Sequence, residues 1–265
     1  MRGGVCSCAL LLVLCAAPLW AAPPDKFPDV RFEAEDSAAW GGDPVPDGRA
    51  LGELAATVAG DVTFQGDFTC RKPAPGAQAG PIVCLSRINP VLPPFLFSLR
   101  WYLDPENGER VVTGISIRHE GRAEPFQVIA GLDARAAVEV DNSGFELIDM
   151  DFDGYLDMRL IADGTAGPNM LYRNWLWSVE DERFIESSML DEIVSPEFDP
   201  ETREILSRWR SSAAEGGVDV YAWDDGVPVM IHREVDRFDG PSRCTRIFFD
   251  RIDDEMRETG SGSCT

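Results

Sequence analysis

The sequence is poor in histidine and in positive charge. Histidine occurs only at His119 and His232 in 265 residues, and 24 Lys and Arg face 46 Asp and Glu, a net charge of −22. Nucleic acid is therefore a poor partner, because phosphate binding needs a basic surface. An anionic membrane surface is a poor one for the same reason. Acidity of this kind attracts basic proteins or divalent cations, and it also serves plain solubility. Catalytic signatures are missing too: there is no G-x-S-x-G, no H-E-x-x-H and no P-loop. His119 and His232 lie in strand or turn sequence and read as surface or pairing residues rather than as general bases. A Ser–His–Asp triad assembles from distant positions, so spacing does not exclude one, but no pattern points to one. The expectation is a protein that is not an enzyme.

Long apolar runs are confined to the start. "MRGGVCSCALLLVLCAAPLWAAPPDK" opens with one positive charge, then an apolar run to about Trp20, then small residues. This is the layout of a secretory signal peptide, and the run is short for a membrane span. The reading is a signal over 1–21, cleavage near Ala21 and a mature chain 22–265 in the periplasm or outside the cell. Cys15 follows Leu14 rather than a small residue, which disfavours a lipoprotein anchor. Cys6, Cys8 and Cys15 leave with the signal. Four cysteines stay: Cys70, Cys84, Cys244 and Cys264. An even number in an exported chain reads as two disulfides with three possible pairings, of which proximity favours Cys70–Cys84 and Cys244–Cys264. Zinc is the weaker alternative, since the cysteines form no C-x-x-C pairs and histidine is scarce.

Residues 22–50 are rich in Pro, Gly and acids and read as an extended lead-in, with at most a strand near Val30–Glu33. "CRKPAPGAQAGPIVC" reads as a loop closed by its flanking cysteines. From about residue 96, short apolar runs recur about every ten residues between Asp-Gly and Asn-Gly turns, the pattern of antiparallel hairpins. Only "SSMLDEIV" resembles a helix, of a turn or two. The fold class is all-β and antiparallel. At about 40–50 residues per blade, the length suits a β-propeller of about five blades, with a β-sandwich as the alternative.

One decapeptide carries chemistry. In "IDMDFDGYLD", Asp149, Asp151, Asp153, Gly154 and Asp157 form D-x-D-x-D-G-x-x-D. Calcium is a hard cation that takes six to eight oxygens. Carboxylates at loop positions 1, 3 and 5 converge when the chain curls, and glycine at 6 permits the sharp turn. Tyr155 at 7 offers its backbone carbonyl, and Asp157 at 9 closes the shell directly or through water. An EF-hand would place a bidentate Glu at 12, where Leu160 stands. The reading is an integrin-like calcium loop between two strands. Four aspartates in one tight loop resemble a cage more than the free carboxylate pair of a glycosidase.

The loop together with "LIADGTAGPNMLYRNWLWSVEDERFIESSMLDEIVSPEFDPETREILS" and "YAWDDGVPVMIHRE" resembles a family of exported bacterial calcium-binding β-propellers. These act as periplasmic lysozyme inhibitors and immunity proteins against peptidoglycan hydrolase effectors. The shared order is the aspartate loop, a Gly-containing loop, Asn-x-x-Tyr at Asn169 and Tyr172, an aromatic strand with Trp175 and Trp177, and "FDPETREI". The likeness covers about residues 110–250, so 101–265 is the family-like part of a single β domain and 22–100 diverges. The resemblance implies that calcium fixes a loop which meets the target enzyme, with Gly164, Gly167, Asn169, Tyr172 and Arg173 as contact candidates. It also implies a peptidoglycan hydrolase as partner, which a basic surface would draw to this acidic chain. Trp175 and Trp177, at i and i+2, share a strand face and suit a core. A calcium-stapled adhesion or interaction module is the rival function, and a hydrolase using another carboxylate pair the third.

Overall fold

Alternation, broken at the buried Leu96, builds the first sheet. Phe95, Phe97, Leu99 and Trp101 are all buried, while Ser98 and Arg100 between them turn to the other face. Side chains on a strand alternate between faces, so these four line one side. The computed structural model describes residues 68–163, 168–240 and 243–264. The predicted signal, its cleavage site and the strand near Val30–Glu33 lie outside them.

Among the described residues the first sheet has nine strands. They are β1 (Thr69–Arg71), β2 (Ala79–Ser86), β3 (Phe95–Leu103), β4 (Glu109–His119), β5 (Gln127–Ala137), β6 (Glu146–Ile148), β7 (Asp157–Asp163), β8 (Leu171–Ser178) and β9 (Arg183–Glu186). Each hairpin pairs with the next, except that β5 meets β7 through one parallel bridge, Arg135↔Asp163, with β6 set beside β7. Register shifts in the β3–β4, β4–β5 and β7–β8 ladders bend the sheet. It therefore wraps a single core, in which Phe97 of β3 meets Phe184 of β9 edge-on at 5.8 Å. Gln127 stitches the two parts of the sheet. Its side-chain amide donates to the Phe184 carbonyl, and its oxygen accepts the Phe184 N–H. Trp175 and Trp177 both lie in this core, as their spacing implies.

The one-turn helix α1 (Ser188–Asp191) follows, where a helix of a turn or two is expected. A six-stranded meander comes next: β10 (Pro196–Asp199), β11 (Glu204–Arg210), β12 (Glu215–Asp224), β13 (Val227–Phe238), β14 (Cys244–Ile252) and β15 (Glu255–Ser263). A second, smaller core joins the sheets. Met150, Leu190, Ile193 and Ile205 are buried there, with Ile148, Leu176, Phe198, Tyr221 and Trp223 around them.

The chain is thus all-β and antiparallel, but the described strands form two long sheets rather than about five separate blades. No closed propeller or barrel appears among them. The physical reason is that a hairpin turn every ten or so residues serves a meander and a blade equally. The repeat does not reveal where one sheet stops and another starts. Both proximity-based disulfides are present, Cys70–Cys84 and Cys244–Cys264, and they suit a chain that leaves the reducing cytosol. No described helix is long and apolar enough to cross a membrane.

Candidate metal centre

The stretch from Ile148 to Asp153 alternates apolar and acidic residues and runs from β6 toward a turn. Its acidic members gather on one side. The carboxylates of Asp149, Asp151 and Asp153 offer oxygens within 4.8 Å of one another. Backbone bonds shape the turn: Asp149 accepts the N–H groups of Asp153 and Gly154 at 3.1 and 3.0 Å, and Asp153 accepts that of Tyr155 at 2.8 Å. Gly154 sits at φ +90°, a region that glycine enters without steric cost. Phe152 holds φ +62°, which costs a bulky residue energy and so marks a loop fixed by its surroundings. From the β2–β3 connection, Asn89 donates to the Gly154 carbonyl at 3.0 Å, and the Ile88 carbonyl accepts the Leu156 N–H at 2.7 Å.

Asp157 stands outside the three converging carboxylates and is fully buried. One of its oxygens accepts the Met150 N–H at 2.8 Å and the other the Trp177 N–H at 2.7 Å. Each oxygen keeps a second lone pair for an ion. Tyr155, at the seventh position, packs its ring against the large core.

The electrostatics describe a site short of positive charge. Burial, followed by the charge of Asp153, raises the Asp149 carboxyl, against its hydrogen bonds. Burial and then the charges of Asp153 and Asp149 push Asp151 up to about 7. Burial chiefly, with Asp151 next, holds Asp157 well above the usual carboxylate range. The charges acting on these three groups are other carboxylates, with no basic group among them. A hard divalent cation would supply what is missing, and an all-oxygen donor set of this density suits calcium. The other cluster of ligating types, Asp236 with Cys244 and Cys264, is no metal site, because its sulfurs form a disulfide.

The contact candidates are placed less simply. Gly164 and Gly167 lie outside the described residues. Asn169 commits its amide to the backbone of Arg210, donating to the carbonyl and accepting the N–H, both at 2.9 Å. It thereby ties the β7–β8 connection to the end of β11. Asn169→Ala should lower stability by about 1 kcal/mol, two partly solvated hydrogen bonds' worth, read as a shift in urea midpoint. Tyr172 is half-buried, with the Arg159 guanidinium 4.1 Å above its ring. Burial pushes its hydroxyl up, and the Arg159 charge opposes this. Arg173 pairs with Glu186 and reaches Asp191 at 3.1 Å. This group does not adjoin the aspartate loop. β7 leaves the loop at Asp157; Arg173 and Tyr172 pair with Leu160 and Ile161, about 10–13 Å along it, and Asn169 lies beyond its far end.

The sequence reading missed a different neighbour. In the six-stranded meander, the β10–β11, β12–β13 and β14–β15 turns all fall at one end of the sheet, because alternate turns of a meander share an end. That end meets the aspartate loop: the Trp223 indole N–H donates to the Met150 carbonyl at 2.9 Å, and Arg203 stands 5.8 Å over the Phe152 ring. The three turns expose Glu201, Asp224, Asp225, Asp253, Asp254 and Glu255. Arg251 and Arg257 offset only part of this charge, at 3.2 Å from Asp254 and 3.5 Å from Asp253. "DPET", "DDG" and "DDE" lie far apart in the chain, and nothing in the sequence places them side by side.

No protein-family model matches the chain, and no curated protein matches it. Among solved structures, a Xanthomonas type IV secretion system related protein is similar, at 16% identity and a TM-score of 0.47, over 74% of this chain and 100% of that one.

Proposed function

We propose that the chain is an exported calcium-binding protein, not an enzyme, that binds and blocks a peptidoglycan hydrolase of basic surface. One observation carries the reading: a dense all-oxygen cage, short of positive charge, sits at the same end of the molecule as three acidic hairpin turns. An ion in the cage, held by Asp149, Asp151, Asp153, the Tyr155 carbonyl and Asp157, would fix that end. A rigid surface loses little entropy when it binds. Acidic turns around it would raise the encounter rate with a basic enzyme. The resemblance supplies the partner class and points to the Asn169–Arg173 segment for close contact.

The test is turnover of purified cell walls by a lysozyme-like hydrolase, with and without the calcium-loaded protein. Inhibition supports the reading. Binding without inhibition would instead mark an interaction module, and wall cleavage by the protein alone a hydrolase. The two ends of the molecule separate in kinetics. Reversing Asp224 and Asp225 to Lys should lower the association rate about tenfold at low salt and little at high salt. Tyr172→Ala should chiefly raise the dissociation rate, since truncating a contact residue acts there. Absence of both effects would show that inhibition does not use these surfaces.

A further inference from the structure

Ile148, Asp149, Met150, Asp151, Phe152 and Asp153 make a two-sided element. The odd positions carry the converging carboxylates. The even positions face the second sheet: Ile148 lines the small core, Met150 is fully buried in it, and Phe152 lies under Arg203. The peptide groups of Met150 are held from both directions. Its N–H donates to the buried carboxylate of Asp157, which ends the aspartate loop, and its carbonyl accepts the indole N–H of Trp223 on β12. The Met150 side chain packs with Leu190 of α1, Ile193 and Ile205 of β11. Among the described residues other groups also join the sheets, the Arg159 guanidinium over the Phe198 ring among them. Asn169 reaches Arg210 at the opposite end, and Arg159 donates to the Pro196 carbonyl at 2.8 Å.

From this we infer that calcium controls the docking of the six-stranded sheet on the nine-stranded one, through Met150. The inference rests on the calcium reading above and assigns that site a regulatory role. Curling of the acidic side around the ion seats the apolar side in the inter-sheet core, so ion binding and sheet docking form one coupled step. Coupling is reciprocal: whatever loosens the docked sheet must weaken calcium by the same factor. Met150→Ala and Trp223→Phe remove no calcium ligand, yet each should weaken calcium, the first by about tenfold and the second by severalfold.

The experiment combines calorimetric calcium titration of the chelator-treated full chain with hydrogen exchange in both states. The expected result is protection by calcium in 149–157 and, equally, in Pro196–Asp199, Glu204–Arg210 and Glu215–Asp224. Binding with protection confined to 149–157 would overturn the inference while leaving the calcium site standing. Absence of any binding heat would remove both. Should Met150→Ala fail to fold, Trp223→Phe carries the affinity test, because it deletes the indole N–H and leaves an aromatic ring in its place. Wild-type calcium affinity in Trp223→Phe would also count against the coupling.

Discussion

Asp157→Ala should lower the stability of the calcium-loaded protein by about 4 kcal/mol, the largest single effect expected from this site. The side chain is fully buried, and its two oxygens satisfy the N–H groups of Met150 and Trp177. Alanine would orphan both donors inside the fold. Each buried unsatisfied donor costs about 1–3 kcal/mol. Loss of an ion ligand adds to this, since an ion that binds only the folded state stabilises it by mass action. For a domain of this size, such a loss lowers the melting midpoint by about 10 °C. Asp157→Asn keeps one acceptor but turns an NH2 toward the second donor, so it should retain about half of the stability. Urea unfolding of the three proteins decides the matter. A loss below about 1 kcal/mol in the alanine variant would show that the two backbone bonds matter little.

Chelation should act strongly above neutral pH and weakly below it. Asp149, Asp151 and Asp157 all have carboxyls raised in the fold, Asp151 to about 7. Without calcium, the folded protein holds these protons more tightly than the unfolded chain does. That contribution to stability is complete below the ordinary carboxylate range and is lost as pH rises through about 7. The calcium-free protein should therefore melt at a higher temperature near pH 5.5 than near pH 8. Calcium competes with the same protons and displaces them. Its own stabilisation is thus greatest where the carboxylates are free, and at a hundredfold excess over Kd it amounts to about 3 kcal/mol. Thermal melts with and without chelator should differ by about 6–10 °C near pH 8 and by much less near pH 5.5. Equal midpoints near pH 8 would contradict a structural calcium.

Much of the local structure was legible in the residues. Alternation in "FLFSLRW" marks a strand with one buried face, and "IDMDFDGYLD" marks a turn crowded with carboxylates. The disulfides followed from proximity, because nearby cysteines on one hairpin face each other: Cys70 and Cys84 are register partners. The core role of Trp175 and Trp177 followed from their i, i+2 spacing. All of these depend on neighbours within a few residues or on a single hairpin, where chain geometry leaves few choices.

What sits beside what was decided only in three dimensions. The resemblance made Asn169 a contact candidate, and its amide closes on Arg210, 41 residues away. Asn169 follows the aspartate loop in sequence, but one extended strand removes it to the other end of its hairpin. Residues beside the β10–β11 and β12–β13 turns, Arg203 and Trp223, meet the loop instead, because a meander returns every second turn to the same end. The division of the strands into two sheets was likewise hidden, since hairpin pairing is local whereas the end of a sheet depends on which core the next strand can join. The sequence by itself determined an aspartate-rich turn between strands in an acidic all-β chain. The tertiary structure decided that this loop lies between two sheets, because Met150 buries its side chain against Leu190, Ile193 and Ile205 and its carbonyl accepts the Trp223 indole N–H, all far along the chain.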